Sequence, residues 1–298
     1  MYIYDIFGIK DAEFFNINIE KDIPVFVRPY TVEILGTKIS KQCNETVLDW
    51  FNCVHDKMII KDINGAINLF SLHLQEPKEN CLGYSNNTTN GTGLATLATE
   101  AMYKILGAPH LIGAIGQIAD LQLYVENIMY DRISDIFTNV ARNDLNDYTL
   151  EQCEKYNMMH LVQVVNFGPY WDKNTHSWVL NEKKKMLVVN GKPILLTPKN
   201  FLRGSFDPNT MYTHVVLEDW IDLDLRKNIS PLIKEKRDGT AYIKKKDKRK
   251  EMKDKNFVPT KAFMVEYAKN HLNITKRLRQ KLKEHRFKRL QKRNKKKK

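Results

Sequence analysis

The stretch Lys185–Lys199, KMLVVNGKPILLTPK, places two apolar, β-branched runs on either side of Asn190-Gly191. An Asn-Gly pair between two such runs is a hairpin signal, because both residues tolerate the positive φ that a tight, right-twisted turn demands. A further β-branched run, HLVQVVNF at His160–Phe167, lies just upstream. Together they predict strands within a chain that otherwise carries strong helical patterns, and so a mixed α/β (α+β) fold with helices packed on a mixed sheet.

Working outward, NETVLDWFNCVHDKMI (Asn44–Ile59) spaces Val47, Leu48, Phe51, Val54 and Ile59 at helical intervals, with Asn44 or Thr46 as candidate N-caps. LATLATEAMYKILG predicts a helix closing near Gly107, preceded by the Ser/Thr/Asn/Gly-rich loop GYSNNTTNGTG at Gly83–Gly93. YDRISDIFTNVARND (Tyr130–Asp144) puts Ile133, Ile136, Phe137 and Val140 on one face, continued by Leu145 and Tyr148. Residues 1–40 alternate apolar and polar between charges and prolines, the pattern of short strands. HLIGAIGQIADLQLYVENIMY has no clean period, and HVVLEDWIDLDLRKNI suits either a strand or a short helix.

The charge is unevenly distributed. Residues 241–298 hold 24 Lys/Arg and 5 Asp/Glu, a net of +19, which leaves a net of −6 for residues 1–240. A core over residues 1–235 and a basic, mainly helical region over 236–298 are therefore expected. In the latter, Ile274, Leu278 and Leu282 recur every four residues among Lys276, Arg277, Arg279, Lys281, Lys283, Arg286, Lys288 and Arg289. Such a basic amphipathic helix suits a polyanion, whose bound counterions are released when phosphates are neutralised. Those eight residues are the candidate nucleic-acid contacts.

No apolar run approaches a membrane span and no basic, apolar leader opens the chain, so a cytoplasmic protein without membrane contact is expected. The four cysteines lack the spacing of a zinc site or a disulfide framework. Cys53 and His55 in NCVHDK supply two ligand types where a tetrahedral site needs more. The Gly-rich loop lacks the Lys-Ser/Thr of a P-loop, and no nucleotide cofactor is expected.

Opposite the apolar face of Tyr130–Asp144 runs a second stripe of Asp131, Asp135, Thr138, Asn139 and Arg142. Residues four apart on a helix are neighbours, so Asp131 and Asp135 can share a Mg or Mn ion or drive their pKa values apart, and either suits phosphodiester hydrolysis. A solvated helix face needs the same polarity, and this reading competes with the catalytic one. Glu100 or Asp120 would complete the carboxylate set, with Asp131, Asp135 and Asp120 as metal ligands, and Lys199 at the end of the apolar run is a further catalytic candidate. An Asp/Glu-x-Lys triplet of the kind metal-dependent nucleases carry is met only nominally, by Glu182–Lys184.

LGYSNNTTNGTG, YDRISDIFTNVARNDLNDYTLEQCEKYN and GKPILLTPK together resemble, in order and spacing, a group of uncharacterised bacterial proteins associated with mobile elements and defence loci. The resemblance covers Leu82–Arg203, and Asp131, Arg132, Ser134 and Asp135 match the group's most recognisable motif. That group carries no established activity, and what the resemblance implies is that these residues are the first to test. The basic tail and the carboxylate pair give the expectation of a nucleic-acid-binding protein acting as a metal-dependent nuclease in bacterial defence. Its rival is a non-catalytic sensor or adaptor subunit, in which the same helix docks a protein partner encoded nearby.

Overall fold

The computed structural model describes residues 1–83, 93–202, 208–254 and 260–284. It divides into two compact units, Met1–Ser205 and Phe206–Lys298. Helix accounts for 55% and strand for 13% of the described residues, a mixed α+β fold.

Unit 1 is built on helices. Its N-terminal forty residues do not form the short strands their alternation suggests. Ile3–Phe7 is a helical turn (α1) closed by Gly8 at φ 62°, and Pro29–Leu35 (α2) starts on a proline at its first position. As strands, the extended pieces around α1 and α2 pair only by single bridges, Tyr2 to Asn18, Phe14 to Pro198 and Ile23 to Leu82. Alternating burial without a ladder partner gives extended chain and not sheet.

Lys38–Ile59 (α3) begins earlier than Asn44, because Thr37 is its cap and accepts a hydrogen bond from the Ser40 amide at 3.3 Å. Ile63–Ser71 (α4), capped by Asp62, and Leu94–Leu106 (α5) follow it. The aperiodic segment resolves into His110–Ala114 (α6), a 3-10 turn at Ile118–Asp120 and Leu121–Tyr124 (α7). Tyr130–Val140 (α8) and Arg142–Lys155 (α9) are two helices separated by Ala141 alone.

The sheet stands where the hairpin signal put it, but it is antiparallel. Val162–Asn166 (β1) and Lys192–Ile194 (β5) flank Lys183–Val189 (β4) in the order β1-β4-β5, and a separate hairpin pairs Tyr170–Asp172 (β2) with Ser177–Val179 (β3). Asn190 and Gly191 have φ of 50° and 74°, as the two-residue turn requires. Lys199–Leu202 (α10) closes the unit.

α9 packs on this sheet through Tyr148 and Cys153, which share an apolar cluster with Leu187, Val189 and Ile194, and is fixed by polar contacts. The Asn146 side-chain amide donates to the Lys185 carbonyl at 3.1 Å, and the Thr149 hydroxyl accepts from the Leu196 amide at 2.9 Å. Side-chain groups here do what neighbouring strands usually do, satisfying backbone groups that burial would otherwise strand.

Between α8/α9 and β5 runs the extended segment 75–82. The Asn139 side chain brackets Gln75, accepting from its amide at 3.2 Å and donating to its carbonyl at 2.6 Å. Asn80 donates to the Thr138 hydroxyl, and the Glu79 carbonyl accepts from the Leu195 amide at 2.8 Å. Glu79 itself pairs with Arg142, whose side chain is among the largest fully buried in the chain at 1% exposure. Gly168 leaves room for that guanidinium, since a Cβ there would lie 3.1 Å from Arg142 Cζ.

In unit 2, Pro208–Lys227 (α11) is one long helix, so HVVLEDWIDLDLRKNI is neither strand nor short helix. Ile233–Glu235 (β6) and Ala241–Ile243 (β7) form a hairpin whose Ile243 joins Ile221 and Leu225 in a small core. Lys245–Asp254 (α12) is tied to α11 by Asp222, which pairs with Lys248 at 2.9 Å and Arg226 at 2.8 Å. These contacts join residues on both sides of the compositional shift at 235 within unit 2. Lys261–Asn270 (α13) starts on its Thr260 cap, and residues 274–284 are again helical.

Removal of Glu79 would leave the Arg142 guanidinium buried without its anion. Glu79→Ala is therefore expected to lower the free energy of unfolding by about 3–5 kcal/mol, read from urea denaturation, and the double variant Arg142→Met/Glu79→Leu is expected to be more stable than Glu79→Ala.

Candidate functional site

The second stripe of α8 divides in two. Thr138, Asn139 and Arg142 do not face solvent: all three are buried and spend their polar groups on segment 75–82 or on α8 itself. Ser134 is buried too, its hydroxyl accepting from the Val27 amide at 2.9 Å. Asn139 thus adds no free oxygen to the carboxylates. A helix whose polar residues meet buried backbone looks in sequence like a helix whose polar residues meet water, which is why pattern alone left this face open.

Asp131 and Asp135 remain at the surface, with side chains 34% and 18% exposed. Arg132 lies between them, with Nε 4.0 Å from Asp131 and Nη1 4.0 Å from Asp135, and it donates to Glu76 at 3.3 Å. Asp22 joins this group, because its neighbour Ile23 pairs with the Cys81–Gly83 backbone. Three carboxylates thus share one guanidinium, with the charge of Asp22 added nearby.

The consequence is electrostatic. Burial, opposed by Arg132 and reinforced by Asp131, Glu76 and Asp22, raises the Asp135 carboxyl to about 7. Burial and the Glu76 charge raise Asp22 as well. A carboxyl that exchanges its proton near neutrality is suited to general acid–base work. Asp131 Oδ1 is buried without a hydrogen-bond partner among the described residues.

The other candidates lie apart from this cluster. Asp120 is fully buried: Oδ1 accepts from the Tyr30 hydroxyl at 2.6 Å, and Oδ2 from the Gly116 and Gln117 amides. Both oxygens hold the turn before α7 together. Glu100 is exposed on α5. Lys199 starts α10, pairs with Asp11 and sits over the Tyr4 ring. In the nominal triplet, Glu182 accepts from the Tyr170 hydroxyl at 2.6 Å, and Lys184 rests 4.1 Å above the Tyr170 ring and donates to Asn143.

Among the described residues, the group that brings three metal-ligand atoms within 4.8 Å of one another is Asp49, Cys53 and His176. Cys53 therefore faces His176, while His55 is engaged with the Ile112 carbonyl at 2.8 Å. Asp49 and Cys53 are one turn apart on α3, a signal visible in the sequence; their partner is far along the chain, and no spacing rule reaches it.

The basic helix is amphipathic as its spacing implies. Ile274, Leu278 and Leu282 are buried, while Lys276, Arg277 and Lys283 are exposed and Arg279 and Lys281 half-buried. Arg277 pairs with Asp219 at 2.5 Å. Arg286, Lys288 and Arg289 lie outside the described residues, as does most of the Gly-rich loop, residues 84–92.

The family model for a domain of unknown function, DUF8370, matches residues 7–208. The chain belongs to this family. The DUF8370 match ends close to the boundary of unit 1 at Ser205, so it takes in the acidic cluster and leaves nearly all of unit 2 outside. No curated protein and no solved structure matches the chain. No described helix is long and apolar enough to cross a membrane.

A carboxyl whose pKa is higher in the folded chain than the ordinary 3.8 binds more protons folded than unfolded from about pH 4 to 7. Its contribution to stability is complete below that window and is lost as pH rises through it. Asp135→Asn is expected to flatten this decline and to stabilise the protein at pH 8 by up to about 4 kcal/mol, measured by denaturant unfolding across the range.

Proposed function

We propose that the chain is a nucleic-acid-binding protein whose basic C-terminal unit holds the phosphate backbone. The observation that supports this most is the segregation of charge between the two units. Residues 206–298 carry 29 Lys/Arg against 12 Asp/Glu, a net of +17, while residues 1–205 carry a net of −4. The helix over 274–284 buries its apolar row and turns Lys276 and Lys283 outward. A fixed basic face on a helix neutralises phosphates at less ordering cost than a loose tail.

A second reading, phosphodiester cleavage in unit 1, is favoured by the Asp135 carboxyl beside Arg132. Asp131 and Asp135 offer the hard oxygen ligands that Mg or Mn prefers, with water filling the remaining positions once Arg132 turns aside. In this reading Asp135 must be ionised to hold the metal, so the ion competes with the proton that burial favours on this carboxyl. The resemblance of Leu82–Arg203 to proteins of defence loci supplies the setting, action against foreign nucleic acid.

Binding of the full chain to duplex and single-stranded oligonucleotides, followed by fluorescence anisotropy against salt, tests the first reading. Leu278 and Leu282 are buried, so substitution is a cleaner probe than truncation at 276. Lys276→Gln/Lys281→Gln/Lys283→Gln is expected to weaken binding and to reduce the log–log salt slope by about 0.7–0.9 for each phosphate that is no longer neutralised. An unchanged affinity and slope would exclude the helix as the binding face. Incubation with Mg²⁺ or Mn²⁺ then separates the roles: cleavage abolished by Asp135→Asn supports the nuclease, and binding without cleavage supports the adaptor.

A further inference from the structure

We propose that Asp49, Cys53 and His176 form a zinc site on the face of unit 1 where the β2–β3 hairpin lies against α3. Their ligand atoms all fall within 4.8 Å of one another. Thiolate and imidazole at 2.0–2.3 Å from a tetrahedral ion lie roughly 3.5 Å apart, so the cluster needs to contract by only about an ångström.

The two elements that carry the ligands are firmly joined. Asp49 and Cys53 lie one turn apart on α3 and present their side chains along the same face. His176 sits at the hairpin tip at φ 49°, and Asp172 fixes the turn by accepting from the Asn174 amide at 2.9 Å and from the Thr175 hydroxyl at 3.2 Å. The hairpin is moored to the helices beneath it. Trp171 is buried, Trp178 donates to the Leu69 carbonyl at 2.9 Å and meets the Trp50 ring, and Lys173 pairs with Glu45 at 3.1 Å.

The outer contacts are those a metal ligand uses. Trp171 Nε1 donates to Asp49 Oδ2 at 2.7 Å, which fixes the carboxylate and leaves it lone pairs to give. His176 Nδ1 faces the same carboxylate at 3.0 Å from Oδ1 and 3.1 Å from Oδ2. A divalent ion inserted there replaces the proton that the two groups share, and the Cys53 thiol gives up its own proton to solvent on ligation. Sulfur, nitrogen and one oxygen are a set that selects zinc over Mg or Mn, which distinguishes this site from the all-oxygen cluster on α8. His176 is exposed, so the fourth position opens to solvent, as in zinc sites that bind water or a substrate group.

The full chain, stripped with a chelator, would be titrated with Co²⁺ and followed by absorption. One equivalent is expected to produce the thiolate-to-cobalt charge-transfer band in the near ultraviolet, and Zn²⁺ to bleach it while an excess of Mg²⁺ does not. Cys53→Ser should remove the band. His176→Ala, at an exposed tip, should leave the circular dichroism unchanged and weaken metal binding by more than the 10- to 100-fold, on the order of which outer partners contribute. Asp135→Asn should leave the band intact. Absence of the band in the wild-type chain, its persistence in Cys53→Ser, or an unchanged affinity in His176→Ala would each overturn the site.

Discussion

The ion pair between Arg142 and Glu79 is the contact on which unit 1 is arranged. Arg142 stands at the junction of α8 and α9, fully buried, and a buried guanidinium is tolerated only with its anion in place. Meeting that requirement draws segment 75–82 against both helices, where Asn139, Thr138 and Leu195 satisfy its polar groups. The segment then carries two further consequences. Glu76 is brought to Arg132, and the pairing of Ile23 with Cys81–Gly83 brings Asp22 to the same place. The acidic cluster around Asp135 thus lies about two turns from the buried pair, and burial, ahead of the neighbouring carboxylates, is what raises its carboxyl.

This explains what the sequence could and could not show. The spacing of Ile133, Ile136, Phe137 and Val140 identified α8, Asn190-Gly191 identified the β4–β5 turn, and the four-residue rhythm of Ile274, Leu278 and Leu282 identified the basic helix. Each is a local rule acting over a few residues. The burial of Thr138, Asn139 and Arg142 was not legible, because their partners lie 58 to 64 residues away and polarity alone points outward. The N-terminal alternation misled for a related reason: extended chain reads as strand whether or not a ladder waits for it. Asp120 looked like a free acid and serves as a cap, its partners including Tyr30, 90 residues distant. The Asp49–His176 contact spans 127 residues and was equally out of reach.

The two units invite a division of labour. Unit 1, which contains nearly all of the DUF8370 match, carries carboxylates, a thiol and an imidazole, the groups with which proteins move protons and hold metals. Unit 2 carries the positive charge, with α11 and α12 cross-linked through Asp222 and the final helix fixed by its buried leucines. Net charge alone would be met by any solvated tail; an ordered apolar row beneath the basic residues is what makes the second unit a surface and not an appendage.

The central claim is that burial on α8, with Asp131, Glu76 and Asp22 nearby and only Arg132 opposing, holds Asp135 half-protonated near neutrality. The most direct test is a side-chain carboxyl titration by carbon-detected NMR on the full chain, with Asp135 assigned by its loss in Asp135→Asn. The account predicts an inflection near 7 for Asp135. An inflection at the ordinary carboxylate value, near 4, would contradict it.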